Sequence, residues 1–345
     1  MKKSYFILLA ISLVISACDK HGEPVSDIPY DSYIFFDPDG VEAKGGMVSG
    51  NRLPNASGTA FGVFGFRNSG VEIFSAYADK VARLYRPAGS SDTNPMSFVY
   101  DELALWTAGQ HTFYAYYPYY VAGNTVGITG VSTASDNPAI TYIQPLSLDS
   151  MVDVMTAQKT TSASDGPVQL KFEHRLFALD VVLHNCQSSF ARPLTVTDAS
   201  IVLNGVSKGG VFVIGGKTSS SEETVSISHT YLSGGQLILD APDIGSDTSV
   251  EHNFNANNSF LLLPCEAISI EFTIKFINTL NEQMEFSVSA TIAPEGGFIA
   301  GCKYDIIINK TDNENGVEFV PSLKLVYDAN GNNWDAHPDI DIEFN

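Results

Sequence analysis

The sequence predicts an all-β protein built from antiparallel β-sandwich domains. Three observations point there. Apolar and polar residues alternate at period two in many short runs, so every second side chain falls on one face of a strand. Gly, Asn, Asp and Pro punctuate the runs, which recur every ~8–12 residues, the spacing of sandwich strands joined by turns. Helical periodicity is confined to one short stretch, "SAYADKVARLY" at 75–85. The chain has 345 residues, and length over about 150 suggests two domains. No repeat with a period of about 20–50 residues is visible, so a solenoid is excluded.

The elements follow in chain order. Lys2 and Lys3 precede an apolar block from Tyr5 to Ile15. A helix needs roughly 20 residues to cross a bilayer core, so this block is too short and has the length of a signal-peptide core. Ile15-Ser16-Ala17-Cys18 then resembles a bacterial lipobox. In that class the signal, here 1–17, is removed before the cysteine, whose sulfur and new amino group take acyl chains. Several chains hold a protein on a membrane where one is marginal. Cys18 is therefore the expected lipid anchor. Asp19, Lys20 and Glu23 follow directly and suggest export to the outer surface. Residues 18–29 are polar, with Gly and Pro, and read as a tether.

Strand candidates fill the rest. They are "YIFF" at 33–36, "AFGVFGF" at 60–66, "FYAYY" at 113–117, "ALDVVL" at 178–183, "SIVL" at 200–203 and "VFVI" at 211–214. "QLIL" at 236–239, "SFLLL" at 259–263, "ISIEFTIKF" at 268–276, "EFSVSATI" at 285–292, "YDIIIN" at 304–309 and "DIDIEF" at 339–344 follow. In "ISIEFTIKF" the residues Ile268, Ile270, Phe272, Ile274 and Phe276 share one face, and polar residues hold the other. The low-complexity "TTSASDGP" at 160–167 marks the expected boundary between an N-terminal domain, 30–160, and a C-terminal domain, 161–345.

Composition narrows function. The formal net charge is −20 at pH 7, which repels phosphate backbones and anionic membrane surfaces and excludes nucleic acid as a partner. After the anchor, Cys186, Cys265 and Cys302 remain. Three is odd, zinc-ligand spacing is absent, and the residues read as small buried hydrophobes. Whether two of them form a disulfide stays open.

No motif makes a case for catalysis, a cofactor or a metal. "GVSKG" at 205–209 matches G-x-S-x-G, but that elbow needs a helix after Ser207. "GVFVIGG" follows, and the stretch reads as a hairpin. His174, His184 and His252 lack the zinc-helix spacing and read as structural groups. Asp328, Asn330, Asn332 and Asp335 carry oxygen ligands, yet Gly331 sits at the wrong loop position for an EF-hand, and a tight turn uses the same residues. "HTFYAYYPYY" at 111–120 concentrates aromatics, which would either pack on the core or stack on sugar rings.

Several stretches together resemble the fimbrillin family, the type V pilin subunits and their Mfa-like relatives. They are "AKGGMVSGNRLPNASGTAFGVFGF" (43–66), "WTAGQHTFYAYYPY" (106–119), "DVMTAQ" (153–158) and "VQLKFEHRLFALDVVL" (168–183), after the lipobox. The F-x-H of Phe172 and His174 is the most recognisable. The resemblance implies two transthyretin-like sandwiches and a lipoprotein of the cell outer membrane and its fimbriae. Its role would be stalk, tip or anchor. Expected partners are other fimbrial subunits in a homo- or heteropolymer and a host or bacterial surface ligand. In polymerising members a trypsin-like protease cuts near the N-terminus, the first strand leaves, and a neighbour donates a replacement.

Carried onto this chain, the removable strand is "SYIFFD", with Ile34 and Phe36 on one face. Lys44 and Arg52 are the candidate cleavage points, and an uncut lipoprotein is the alternative. The candidate donor is the last strand, with Ile340, Ile342 and Phe344 on one face, although an ordinary closing strand would look the same. A different function, a cell-surface glycan-binding lipoprotein, would use the aromatics near Tyr114 to Tyr117.

Overall fold

The structure is a computed structural model. It describes residues 32–38, 43–44, 47–48, 53–67, 70–91, 93–94, 96–185, 193–239, 250–255, 258–313 and 316–328. The fold is all-β, as the alternation predicts.

Strand β1 is Phe36–Pro38, β2 is Ala60–Arg67 and β3 is His111–Tyr117. After them come β4, Ala139–Ile143, β5, Met155–Thr161, and β6, Val168–Leu170. The sheet runs in the order Glu173–His174, β5, β3, β2, Val71–Glu72, with Ala82–Tyr85 also on β2, and every pairing is antiparallel. β1 lies apart and pairs parallel with β6.

The interior of β2 is buried on both faces, from Phe61 to Phe66. Phe61 and Val63 enter one hydrophobic cluster with Ile34, Phe113 and Phe172, whereas Phe64 and Phe66 enter a second with Tyr116 and Ile140. This sheet is therefore a wall shared by two cores. Gly62 stands opposite Tyr116 on β3, and a methyl group there would lie 2.3 Å from the tyrosine ring. The missing side chain is what lets the ring cover the strand.

Eight further strands follow. The first are β7, Phe177–Asn185, β8, Leu194–Ser207, β9, Gly209–Val213, and β10, Thr224–Leu232. The last are β11, Ile268–Ile277, β12, Gln283–Ile292, β13, Cys302–Asn313, and β14, Gly316–Asp328. One sheet orders β10, β8, β11, β12, with Leu237–Leu239 also on β8. Another orders Val250–Asn253, β7, β13, β14, with Phe260–Leu262 also on β7. A third joins Thr218–Ser220, β9, β4 and Ile128–Ser132. β11 alternates buried and more exposed residues along its whole length, as its sequence requires.

Two local expectations are corrected. Residues 75–85 are not a helix: a 3-10 turn at Ala78–Lys80 leads into the strand Ala82–Tyr85. Asp79 and Lys80 take positive φ, 54° and 61°, which ends helical winding, and Ala82 and Leu84 alternate into the core. β8 and β9 do not form a hairpin. β8 pairs with β10 and β11, while β9 crosses to β4. Within this antiparallel architecture two pairings run parallel, β7 with β13 and β1 with β6. A strand buried on both faces has no alternation to reveal its partner, and β7 is buried from Phe177 to Leu183. The stretch at 160–167 is a tight turn. Its Ser162–Asp165 capping box, with Ser162 N–H donating to Asp165 Oδ2 at 3.0 Å, returns the chain so that Val168, Leu170 and Phe172 share a cluster with Ile34 and Phe36.

Candidate strand-exchange site

Ile34 is fully buried and Phe36 is 6% exposed. Phe36 stands edge-on to Phe113 at 5.2 Å between ring centroids, and touches Tyr100 at 6.1 Å and Phe74 at 6.3 Å. The backbone of this segment is held on both sides. Ile34 N–H donates to the Ala104 carbonyl at 2.8 Å, and Val168 N–H donates to the Phe35 carbonyl at 2.8 Å. Tyr100 Oη donates to the Ile34 carbonyl at 2.5 Å, and Ala104 N–H donates to Tyr100 Oη at 3.2 Å. Gln169 Nε2 donates to Asp37 Oδ2 at 3.0 Å at the rim.

The segment thus fills an apolar slot between Tyr100 and Ala104 on one side and β6 on the other. Burying Ile34 and Phe36 contributes roughly 3–6 kcal/mol at about 1.5–3 kcal/mol per large apolar side chain. Lifting it out would expose the floor of the slot and leave the Ala104 carbonyl and Val168 N–H unpaired. Another extended strand with two apolar side chains at alternate positions satisfies the same groups.

Lys44 lies in Ala43–Lys44, which pairs with Met47–Val48 in a tight hairpin, Lys44 opposite Met47. Cys18, Arg52, Cys186, Ile340, Ile342 and Phe344 lie outside the described residues, as do Asn330, Asn332 and Asp335. Among the described residues, no group of His, Cys, Asp and Glu is placed to hold a metal. Burial pushes the Cys265 thiol up to about 11. Ser207 is buried, and the strand β9 follows it.

The aromatic row is built into the cores. Phe113 and Tyr116 are buried, and Tyr114 stacks on Phe64 at 5.4 Å. Burial, reinforced by Asp153, pushes the Tyr117 hydroxyl up to about 12.

The F-x-H stretch sends its side chains to separate places. Phe172 stands edge-on to Phe61 at 5.4 Å. His174 Nδ1 lies 2.8 Å from Asp153 Oδ2, both side chains being buried. Arg175 donates to Thr156 Oγ1 at 2.6 Å and to the Gly216 and Val213 carbonyls at 3.1 and 3.2 Å. Sequence reasoning singled out Phe172 and His174 and passed over Arg175, Tyr100 and Ala104. The slot wall left no signal, because "VYDELALW" at 99–106 alternates no better than a loop.

The class this fold defines is the all-β sandwich protein. The chain belongs to the fimbrillin-like family, whose model matches residues 48–321. Solved structures resemble the chain to differing degrees. A fimbrial protein from Bacteroides vulgatus superposes with a TM-score of 0.54 at 15% identity, covering 85% of this chain and 99% of that one. A proposed cell adhesion protein from Bacteroides uniformis gives 0.48 at 16% identity, covering 86% and 99%. The fimbrial anchor protein Mfa2 from Porphyromonas gingivalis gives 0.34 at 10% identity, covering 84% and 95%. No curated protein is matched by the sequence. Among the described residues, no helix is long and apolar enough to cross a membrane.

Proposed function

We propose that this chain is a fimbrial subunit, tethered to the outer membrane through lipid on Cys18, that joins other subunits by strand exchange at the slot filled by Ile34 and Phe36. Membership of the fimbrillin-like family supports the fimbrial role. The observation that supports the exchange step is the way the segment 34–38 fills its slot. Ile34 and Phe36 are buried in it, and the ladder to β6 runs from Phe36 to Pro38. A donor strand can replace such a plug without rebuilding a sheet. Ile340, Ile342 and Phe344 alternate in sequence with Asp339, Asp341 and Glu343, the pattern such a donor needs. The division into two sandwich units belongs to the same proposal, as does adhesion to a surface ligand.

Trypsin tests it. Cleavage at Lys44 or Arg52 should release the first strand, shown by N-terminal sequencing, and the product should run as a ladder on an unboiled gel. Ile342→Asp should abolish the ladder and leave a folded monomer, because a charge entering the slot is strongly disfavoured. Clipped protein that stays monomeric overturns the exchange step and leaves a tethered surface protein. The glycan-binding alternative draws no support from Phe113 and Tyr116, which are buried.

A further inference from the structure

The sheet of β10, β8, β11 and β12 ends on β12. β12 pairs with β11 residue for residue, from Ile268 opposite Ile292 to Ile277 opposite Gln283, without a bulge. Its other side pairs with no strand among the described residues. A row of unpaired N–H and C=O groups of this length is a template for another chain, and edges are ordinarily blunted by Pro, Lys, bulges or shortness. The other two long edges are blunted. β14 carries Pro321 and Lys324, and β10 meets β8 through two register shifts. β12 has no Pro, no Lys and no bulge, and its single charge is Glu285.

Its two faces are equally regular. Phe286, Val288 and Ala290 are half-buried toward the core, and Met284 on the same face is 47% exposed. Ser287, Ser289 and Thr291 face solvent.

We infer that β12 pairs edge to edge, antiparallel, with β12 of a second copy of this chain, in a register centred on Val288. In that register Met284 meets Ile292 of the second copy, Phe286 meets Ala290, and Val288 meets its own counterpart. On the other face Ser287 meets Ser289 and Glu285 meets Thr291. Large apolar side chains lie beside smaller ones, and the carboxylate faces a hydroxyl. A register centred on Glu285 would oppose two carboxylates, and a slip by one residue would turn the core face of one copy onto the solvent face of the other. Hydroxyl pairs already tie this face together: Ser269 to Thr291 at 2.9 Å and Thr273 to Ser287 at 3.0 Å, across β11 and β12. The second copy extends that ladder and covers Met284.

This contact uses no residue of the slot and joins molecules side by side, so it stands or falls apart from strand exchange. The test is light scattering of the full-length protein, uncut by protease, over a concentration series. The expected result is a monomer–dimer equilibrium. Replacing Ser287 and Ser289 together by Lys opposes like charges across the axis. It should weaken the dimer by about tenfold or more, some 1.4 kcal/mol, with unchanged circular dichroism. An equimolar mixture of the Ser287→Cys and Ser289→Cys variants should form a disulfide-linked dimer beyond what either gives alone, since directly opposed positions lie within disulfide reach. A monomer at every concentration overturns the inference, as does a dimer indifferent to the two lysines. Cross-linking no greater in the mixture than in the separate variants overturns the register.

Discussion

The Tyr100 hydroxyl donates to the Ile34 carbonyl at 2.5 Å, so one wall of the slot holds the backbone of the strand that fills it. The Tyr100 ring also packs edge-on to Phe36 at 6.1 Å. Removing the hydroxyl keeps the packing and strands a buried carbonyl.

Tyr100→Phe should therefore destabilise the protein by about 1–3 kcal/mol, the cost of an unsatisfied buried polar group. The check is a urea titration, in which the midpoint falls at constant slope. An unchanged midpoint means that water or a shifted backbone replaces the bond.

Phe36→Ala should cost about 3–5 kcal/mol, as large-to-small aromatic core changes do. It should also hasten tryptic removal of the N-terminal segment, followed by mass spectrometry against time. Proteolysis should accelerate more than in an equally destabilised variant of the other core, such as Phe272→Ala.

Arg175→Leu should cost at least about 1–3 kcal/mol, because the Val213 and Gly216 carbonyls lose a charged donor. Thermal unfolding followed by fluorescence measures the loss. Arg175→Lys should recover little of it, since an ammonium lacks the planar fork that reaches Thr156 and both carbonyls together.

Stability should fall as the solution is acidified below about pH 6.5, the ordinary histidine range. Burial lowers the pKa of His111, His229 and His252. At higher pH these groups are neutral in both states and contribute no slope. Below the ordinary value the unfolded chain binds protons that the folded chain refuses, so the unfolded state gains. His111 makes neutral-ring bonds, Nδ1 to the Gly109 carbonyl at 3.2 Å and Nε2 from Thr107 Oγ1 at 3.0 Å. Comparing urea midpoints at about pH 7.5 and 5.5, His111→Gln should show a smaller drop than the parent. An equal drop would assign the acid sensitivity to other groups.

Where one face of a strand is buried and the other is wet, the sequence alone determined the outcome. β11 is the clearest case: Ile268 to Phe276 alternate in sequence and in burial, because side-chain direction in a strand is a local property of the backbone. The run Tyr33-Ile34-Phe35-Phe36 is apolar throughout, so alternation did not single out Ile34 and Phe36 as its buried pair. Tertiary structure alone decided the partners. It set β1 parallel to β6, β7 parallel to β13, and β9 against β4, across separations of up to more than a hundred residues. It also made a strand of Ala82–Tyr85 and a slot wall of Tyr100 and Ala104. Pairing and burial on both faces depend on which distant segments meet, and alternation along one strand carries no record of that choice.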